Sequence, residues 1–255
     1  MNSFFERIDD EMLERYSRQI IIDEIAEKGQ LTLKNSSVLI VGLGGLGSPA
    51  SLYLAASGVG RIGLCDYDQV ELANLQRQII YTDEDIGRSK VFSAVERLSG
   101  LNSNIKIETF SQRLTPDNID QMISSYDIIL DACDNFETRS ILNEICVKQR
   151  KILISAALTR FEGQITVFAT HLGTPCYHCL YPQRDVPNHI SRCDLVGVFS
   201  PIAGLLGVLM ASEALKMLLN IGTHLCSRLL LVDLYGLRFE HINVKPDPNC
   251  HICRY

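Results

Sequence analysis

The sequence lacks an excess of basic charge. Its 255 residues hold 24 Lys and Arg against 30 Asp and Glu, a net charge of −6. A nucleic-acid backbone needs clustered cations, so no nucleic-acid partner is expected. A secretory leader is lacking too: the opening MNSFFERIDDEMLERYSRQ is dense in charge and has no apolar core of signal-peptide length. No uninterrupted apolar run has the length of a bilayer span. The longest apolar helical stretch, 201–219, is broken by Glu213 and Lys216. A cytoplasmic protein without membrane contact is the expectation. Repeats and low-complexity segments are absent. The nine cysteines are an odd number, which argues against a disulfide framework in such a chain.

Apolar residues make up 46% of the chain, enough for a sizeable core. Helical spacing covers 10–34, with a charged outer face. Strands are expected at 38–41, 61–66, 105–110, 127–133 and 152–157, with helices at 48–57, 88–98, 119–124 and 136–148 between them. That alternation means a largely parallel sheet with helices on both faces. After Gly163 the pattern changes: a strand at 164–169, a loop, the apolar helix from Pro201, then strands at 228–234 and near 239–244. The loop 181–198, with Pro182, Pro187, Asn188 and Gly197, is long enough to suggest a functional or mobile segment. The fold class expected is therefore α/β: a Rossmann-like sheet extended by a C-terminal half. Residues 1–255 form one unit, with a nucleotide-binding half at 35–135 and a second half at 150–255.

The motif VLIVGLGGLG at 38–47 places Gly42, Gly44 and Gly47 in a G-x-G-x-x-G turn between strand and helix. Glycines let backbone amides approach phosphates at a helix N-terminus. Asp66 ends the second strand, where a carboxylate can hold ribose hydroxyls. Asn74, Arg77 and Lys90 follow, all able to contact phosphate oxygens. Two cations and an amide near a glycine turn suit a triphosphate whose bonds are broken rather than a hydride carrier. Singly, each could be a solvated surface residue. Asp134 could equally N-cap the next helix, with Glu137 completing a capping box.

Cys176-x-x-Cys179 and Cys250-x-x-Cys253 supply four thiolates, the set that closes a tetrahedral structural zinc site. One such pair alone could be redox-active or a coincidence. Cys65 and Cys133 lie in apolar strands, where free cysteine acts as a small hydrophobe. His171, His178 and His189 show no ligand spacing.

RYSRQ at 15–19, GLGGLG, the pair Asp66/Asp68, NLQRQ at 74–78, Lys90, DNFETR at 134–139 and the two CxxC pairs together resemble the ThiF/MoeB/HesA family, the bacterial branch of the ubiquitin-activating enzymes. The resemblance runs from Arg15 to Cys253. It implies ATP-dependent adenylation of the C-terminal glycine of a ubiquitin-like sulfur carrier, with Mg²⁺. By motif, Gly42, Gly44, Gly45, Gly47, Asp66, Asp68, Asn74, Arg77, Gln78, Lys90, Asp134 and Asn135 would form the nucleotide site. Asp66 would bind ribose, Asn74, Arg77 and Lys90 the phosphates, and Asp134 the magnesium ion. Arg18 would reach into the neighbouring subunit's ATP site, which implies a homodimer; otherwise it is an exposed helix residue. Cys193, in the long loop between Arg192 and Asp194, is either a sulfur-transfer thiol or an ordinary loop cysteine.

RYSRQI, TDEDI at 82–86 and Cys193 point towards the thiamine-pathway carrier, with the molybdopterin-synthase small subunit as the alternative. The chain ends two residues after Cys253, so no fused rhodanese domain is expected, and sulfur would come from a separate donor such as a cysteine desulfurase. An NAD-dependent oxidoreductase and a non-catalytic carrier-binding scaffold are the alternatives from other classes.

Overall fold

The computed structural model describes residues 8–182 and 196–254. The N-terminal segment forms three short helices, α1 (Asp10–Arg15), α2 (Ser17–Ile20) and α3 (Ala26–Lys34), where the apolar spacing predicts one. The first break falls at Tyr16, whose buried hydroxyl accepts from Asn102 Nδ2 at 2.8 Å. The second falls before Ala26, which has φ +50°. Gln19 turns inward as well, and its Nε2 donates to Gln30 Oε1 at 2.7 Å and to the Ser57 carbonyl at 3.2 Å. An unbroken helix would not bring this segment to both anchors, so tertiary contacts override the local periodicity.

The remaining elements are β1 (Ser37–Val41), α4 (Gly47–Ala56), β2 (Arg61–Cys65), α5 (Lys90–Leu101), β3 (Lys106–Phe110), α6 (Pro116–Ser124), β4 (Ile128–Asp131), α7 (Phe136–Lys148), β5 (Ile152–Thr159), β6 (Glu162–Phe168), α8 (Tyr177–Leu180), α9 (Ser200–Leu219), β7 (Arg228–Asp233) and β8 (Arg238–Asn243). The strands form one eight-stranded sheet in the order β3-β2-β1-β4-β5-β6-β7-β8. Strands β1 to β5 pair in parallel, and β6, β7 and β8 continue antiparallel. The mainly parallel Rossmann-like architecture read from the sequence is what the chain adopts.

Val38 and Ile40 of β1, with Ile128 and Leu130 of β4, pack into one apolar cluster with α4, α5 and α9. Leu39, Val41 and Ile129 point the other way, into a cluster with α6 and α7. Both faces of the parallel part are thus covered, as uninterrupted apolar strands require. Helix α9 is long and apolar enough by composition to cross a bilayer, yet it packs on α4, β5 and β6 as a core helix. Its two charges have local tasks. Glu213 Oε2 accepts from the Leu225 amide at 2.8 Å, and Lys216 Nζ donates to the Thr223 carbonyl at 2.8 Å.

Strand order reverses between β1 and β4, because β2 and β3 extend one way and β4 and β5 the other. The carboxyl ends of parallel strands diverge at such a point and leave a crevice for ligands.

Asn102 joins α5 to Tyr16 and also donates to the Ala55 carbonyl at 2.7 Å. Replacing Asn102→Ala removes both hydrogen bonds, leaving the Ala55 carbonyl only the Gly58 amide, and should destabilise the chain by about 1–3 kcal/mol. Urea unfolding followed by circular dichroism measures it; an unchanged midpoint would contradict the anchoring role.

Candidate functional site

The crevice holds a cavity of about 290 Å³ whose walls include Gly42, Gly44, Gly45, Asp66, Asp68, Arg77, Gln78, Lys90, Asp134 and Asn135. The structure therefore gathers most of the predicted nucleotide residues around one space. Each glycine has a separate local reason. Gly42 has φ +92°, and a Cβ there would stand 2.7 Å from the Ala132 carbonyl oxygen. A Cβ on Gly47 would stand 2.0 Å from the Gly42 carbonyl oxygen, so Gly47 shapes the turn and does not line the cavity. At Gly44 a Cβ would meet only Gln78 Nε2, at 3.7 Å, leaving room on the cavity side. Gly44, Gly45 and Leu46, the turn that leads into α4, line the cavity, and no side chain caps the helix there; the Ser48 amide is already donated to the Gly44 carbonyl at 3.0 Å.

Asp66 is buried, with Oδ2 accepting from the Leu43 amide at 2.7 Å and Oδ1 from the Asp68 amide at 2.9 Å. It pins the glycine turn to β2, a role the sequence reading missed. Each carboxylate oxygen keeps a second lone pair for a ligand. Lys90 opens α5, and its buried ammonium lies 2.9 Å from Asp68 Oδ2. Arg77 packs its stem against Gly45 and donates to the Ala73 carbonyl at 3.0 Å. Gln78 is buried, and its Oε1 has no partner among the described residues, an unmet acceptor in the cavity wall. Asn74 stands outside the wall. Its Oδ1 accepts from the Glu71 amide at 3.3 Å, and its carbonyl takes the amides of Arg77 and Gln78, so it shapes the turn that carries them.

Asp134 is not the helix cap. Asn135 is, its Oδ1 accepting from the Thr138 amide at 2.9 Å, while Glu137 pairs with Arg113 Nη2 at 2.9 Å. Asp134 is exposed in the cavity wall, and among the described residues its carboxylate accepts one side-chain hydrogen bond, from Asn135 Nδ2 at 3.4 Å. A lone carboxylate facing a phosphate site suits Mg²⁺, which takes one or two protein carboxylates plus substrate oxygens. Beneath it lies a polar knot without a role in the sequence reading. Arg139 Nη1 donates to Asp131 Oδ2 and Ser155 Oγ, both at 3.0 Å, and Nη2 to the carbonyls of Cys133 and Ala156. Its signal in the sequence was Arg139 closing the DNFETR run.

Arg18 is exposed on α2 and does not line the cavity; its neighbours Tyr16 and Gln19 are the ones turned inward. Cys193, with Arg192, Asp194 and His189, lies outside the described residues. Burial pushes the Cys65 thiol up to about 12 with Asp66 adding to the shift, raises Cys133 well above its ordinary value, and raises Cys146 and Cys226. Burial thus disfavours the thiolate at all four.

The four CxxC sulfurs lie within 4.8 Å of one another, with Cys176–Cys250 at 3.6 Å, Cys179–Cys253 at 3.3 Å and Cys176–Cys179 at 3.9 Å. Sulfurs about 2.3 Å from a tetrahedral zinc stand about 3.8 Å apart. The separations therefore fit zinc. Cys176 N-caps α8, so the first pair sits on a helical turn rather than the expected loop. The amides of Ile252 and Cys253 point at Cys250 Sγ and favour its thiolate. The cluster rests on Val147 of α7, whose neighbour Asn143 accepts from the Tyr177 amide at 2.8 Å. His178, between the two ligands of that pair, is buried, with Nε2 3.1 Å from Ser140 Oγ. His171 is half-buried, and burial lowers its pKa.

Residues 16–252 match the ThiF family. The chain belongs to that family. It is 42% identical to the sulfur carrier protein adenylyltransferase of Thermus thermophilus over 249 residues, 95% of this chain and 91% of that protein. It is 45% identical over 248 residues to the adenylyltransferase and sulfurtransferase MOCS3 of Anopheles gambiae, covering 97% of this chain and 56% of that protein. The chain thus spans little more than half the length of the first curated relatives it matches. Among solved structures, E. coli MccB with ATP superposes with a TM-score of 0.82 at 25% identity, over 94% of this chain and 73% of that one.

As a ThiF-family member with four converging sulfurs, the chain should bind one zinc ion. Metal analysis of purified protein should find about one zinc per chain, and Cys250→Ser should lower both zinc content and melting temperature. Full stability after complete zinc removal would reject the site.

Proposed function

We propose that the chain adenylates the C-terminal glycine of a ubiquitin-like sulfur carrier. The observation that carries this reading is a single cavity that begins at the glycine turn, Arg77 and Lys90 and continues between Ala157, Leu158, Gln164 and Leu229 of β5, β6 and β7. A nucleotide fits the charged end, and a narrow peptide tail fits the end walled by small and apolar groups. The names of the Thermus and Anopheles relatives, and the MccB structure with ATP, support the same reaction here.

A tail carboxylate oxygen attacks the α-phosphorus of ATP, and a new P–O bond forms as the α–β bridge breaks. The electron pair leaves with pyrophosphate. A poor electrophile becomes an acyl adenylate, ready for a sulfur donor such as a cysteine desulfurase. Positioning and charge neutralisation are the enzyme's main tasks. Lys90 and Arg77 offset phosphate charge, the glycine turn at Gly44, Gly45 and Leu46 receives oxygens, and Asp66 and Gln78 offer acceptors to ribose hydroxyls. Asp134 would hold a magnesium ion, which would neutralise the triphosphate further. A hydride-transfer enzyme would have no use for Arg77 and Lys90 at this turn, and an inactive scaffold no reason to keep the set.

Residues 35–135 serve as the nucleotide half of this ThiF-type unit, and residues 150–255 as the carrier- and zinc-binding half. Arg18, exposed and not part of its own cavity wall, completes the site of a second copy in a homodimer. The thiamine-pathway carrier is the substrate assigned on RYSRQI, TDEDI and Cys193, with the molybdopterin carrier as the second arm of the test. A cytoplasmic reaction is in keeping with four cysteines that must stay reduced to hold a metal.

ATP–pyrophosphate exchange with Mg²⁺, each carrier offered separately, tests the reading. Exchange with one carrier selects the pathway; none with either, from folded zinc-loaded protein, overturns it. Lys90→Ala should lower the exchange rate by about 10²-fold or more. Mixed Arg18→Ala and Arg77→Ala proteins should regain activity that neither shows alone, and no recovery would remove the shared site.

A further inference from the structure

Arg139 is buried at the floor of the cavity, where it lines the wall together with Cys133, Ser155 and Ala156, and no motif-based role covers it. Its guanidinium joins three pieces of chain. The carboxylate of Asp131 ends β4, the Cys133 carbonyl belongs to the loop after β4, and Ser155 Oγ with the Ala156 carbonyl belongs to β5. The arrangement is closed. Ser155 Oγ donates to Asp131 Oδ2 at 2.6 Å, and the Cys133 amide donates to Asp131 Oδ1 at 3.2 Å. Both sides of Asp134 are consequently fastened. Cys133 is gripped at its amide and its carbonyl, and Asn135 is locked as the helix cap. Asp134 is left with a free carboxylate on a rigid mount.

Such a mount is more than a neutral core can supply. A buried Arg–Asp pair is weak evidence of stability, because desolvation offsets its attraction. Its planar fork, however, fixes carbonyls in two directions at once, which an ammonium cannot do. We infer that Arg139, with Asp131 and Ser155, is a positioning residue that holds Asp134 for the metal–triphosphate complex and sets β5, where the acyl tail lies, at a constant distance from it. This deepens the adenylation reading and rests on it for the identity of the metal–nucleotide ligand.

The test compares Arg139→Lys and Ser155→Ala with the parent chain, using Mn²⁺ and ATP as probes. Mn²⁺ binding to the protein–ATP complex is followed by electron paramagnetic resonance, and metal-free ATP binding by calorimetry in chelator. Arg139→Lys should weaken Mn²⁺ binding by about 10-fold or more while metal-free ATP affinity stays unchanged, as for loss of an outer-shell support. Ser155→Ala should show a smaller loss in the same direction, and it carries the test if Arg139→Lys fails to melt cooperatively. Equal losses with and without metal, or no loss of metal affinity, overturn the inference. Neither readout needs the carrier, so absence of pyrophosphate exchange in the parent chain rejects the adenylation reading separately. A parent chain that binds no metal–ATP complex overturns both.

Discussion

The close passage of the turn after β1 beside the chain leaving β4 is the constraint on which the rest depends. Gly42 leaves no room for a side chain against the Ala132 carbonyl, and Gly47 leaves none against Gly42. The Gly42 amide reaches the Cys65 carbonyl at 2.8 Å, and the Ala132 amide reaches the Val41 carbonyl at 2.9 Å. Three strand ends are thereby sewn together at the switch point of the sheet. Polar side chains can then converge on one crevice while the strands below stay wholly apolar.

Charge is handled in two ways around that crevice. At the floor, Asp131 and Arg139 are saturated by each other and by fixed hydrogen bonds, so their desolvation is compensated and their geometry is rigid. In the wall, Asp134 is exposed, Gln78 keeps an unmet acceptor, and Lys90 has the half-exposed Asp68 as its counter-ion. Saturated groups position, and unsaturated ones are available to a ligand. The cysteines divide similarly: Cys65 at the end of β2 and Cys133 in the loop after β4 are pushed towards the neutral thiol by burial, while at Cys250 burial is outweighed by hydrogen bonds from the amides of Cys253 and Ile252 and from neighbouring cysteines. The four-cysteine cluster brings residues 176–179 against residues 250–253 and rests on α7, the helix that also carries Arg139.

The sequence by itself determined the alternation of strands and helices, the glycine turn, the two CxxC pairs and the family. Each is written in local periodicity or in fixed spacing, and neither needs knowledge of distant contacts. It could not show that the 10–34 stretch breaks at Tyr16, because the break is imposed by Asn102 and Ser57 far along the chain. Nor could it decide between Asp134 and Asn135 as the cap, since both residue types cap helices equally well. Only the tertiary structure freed Asp134 by giving the cap to Asn135, moved Asn74 out of the cavity wall into the turn beneath it, and brought Arg139 against Asp131 and Ser155. The physical reason is the same in each case: a side chain's partner is chosen by which strand ends meet, and strand order appears only once the sheet is assembled.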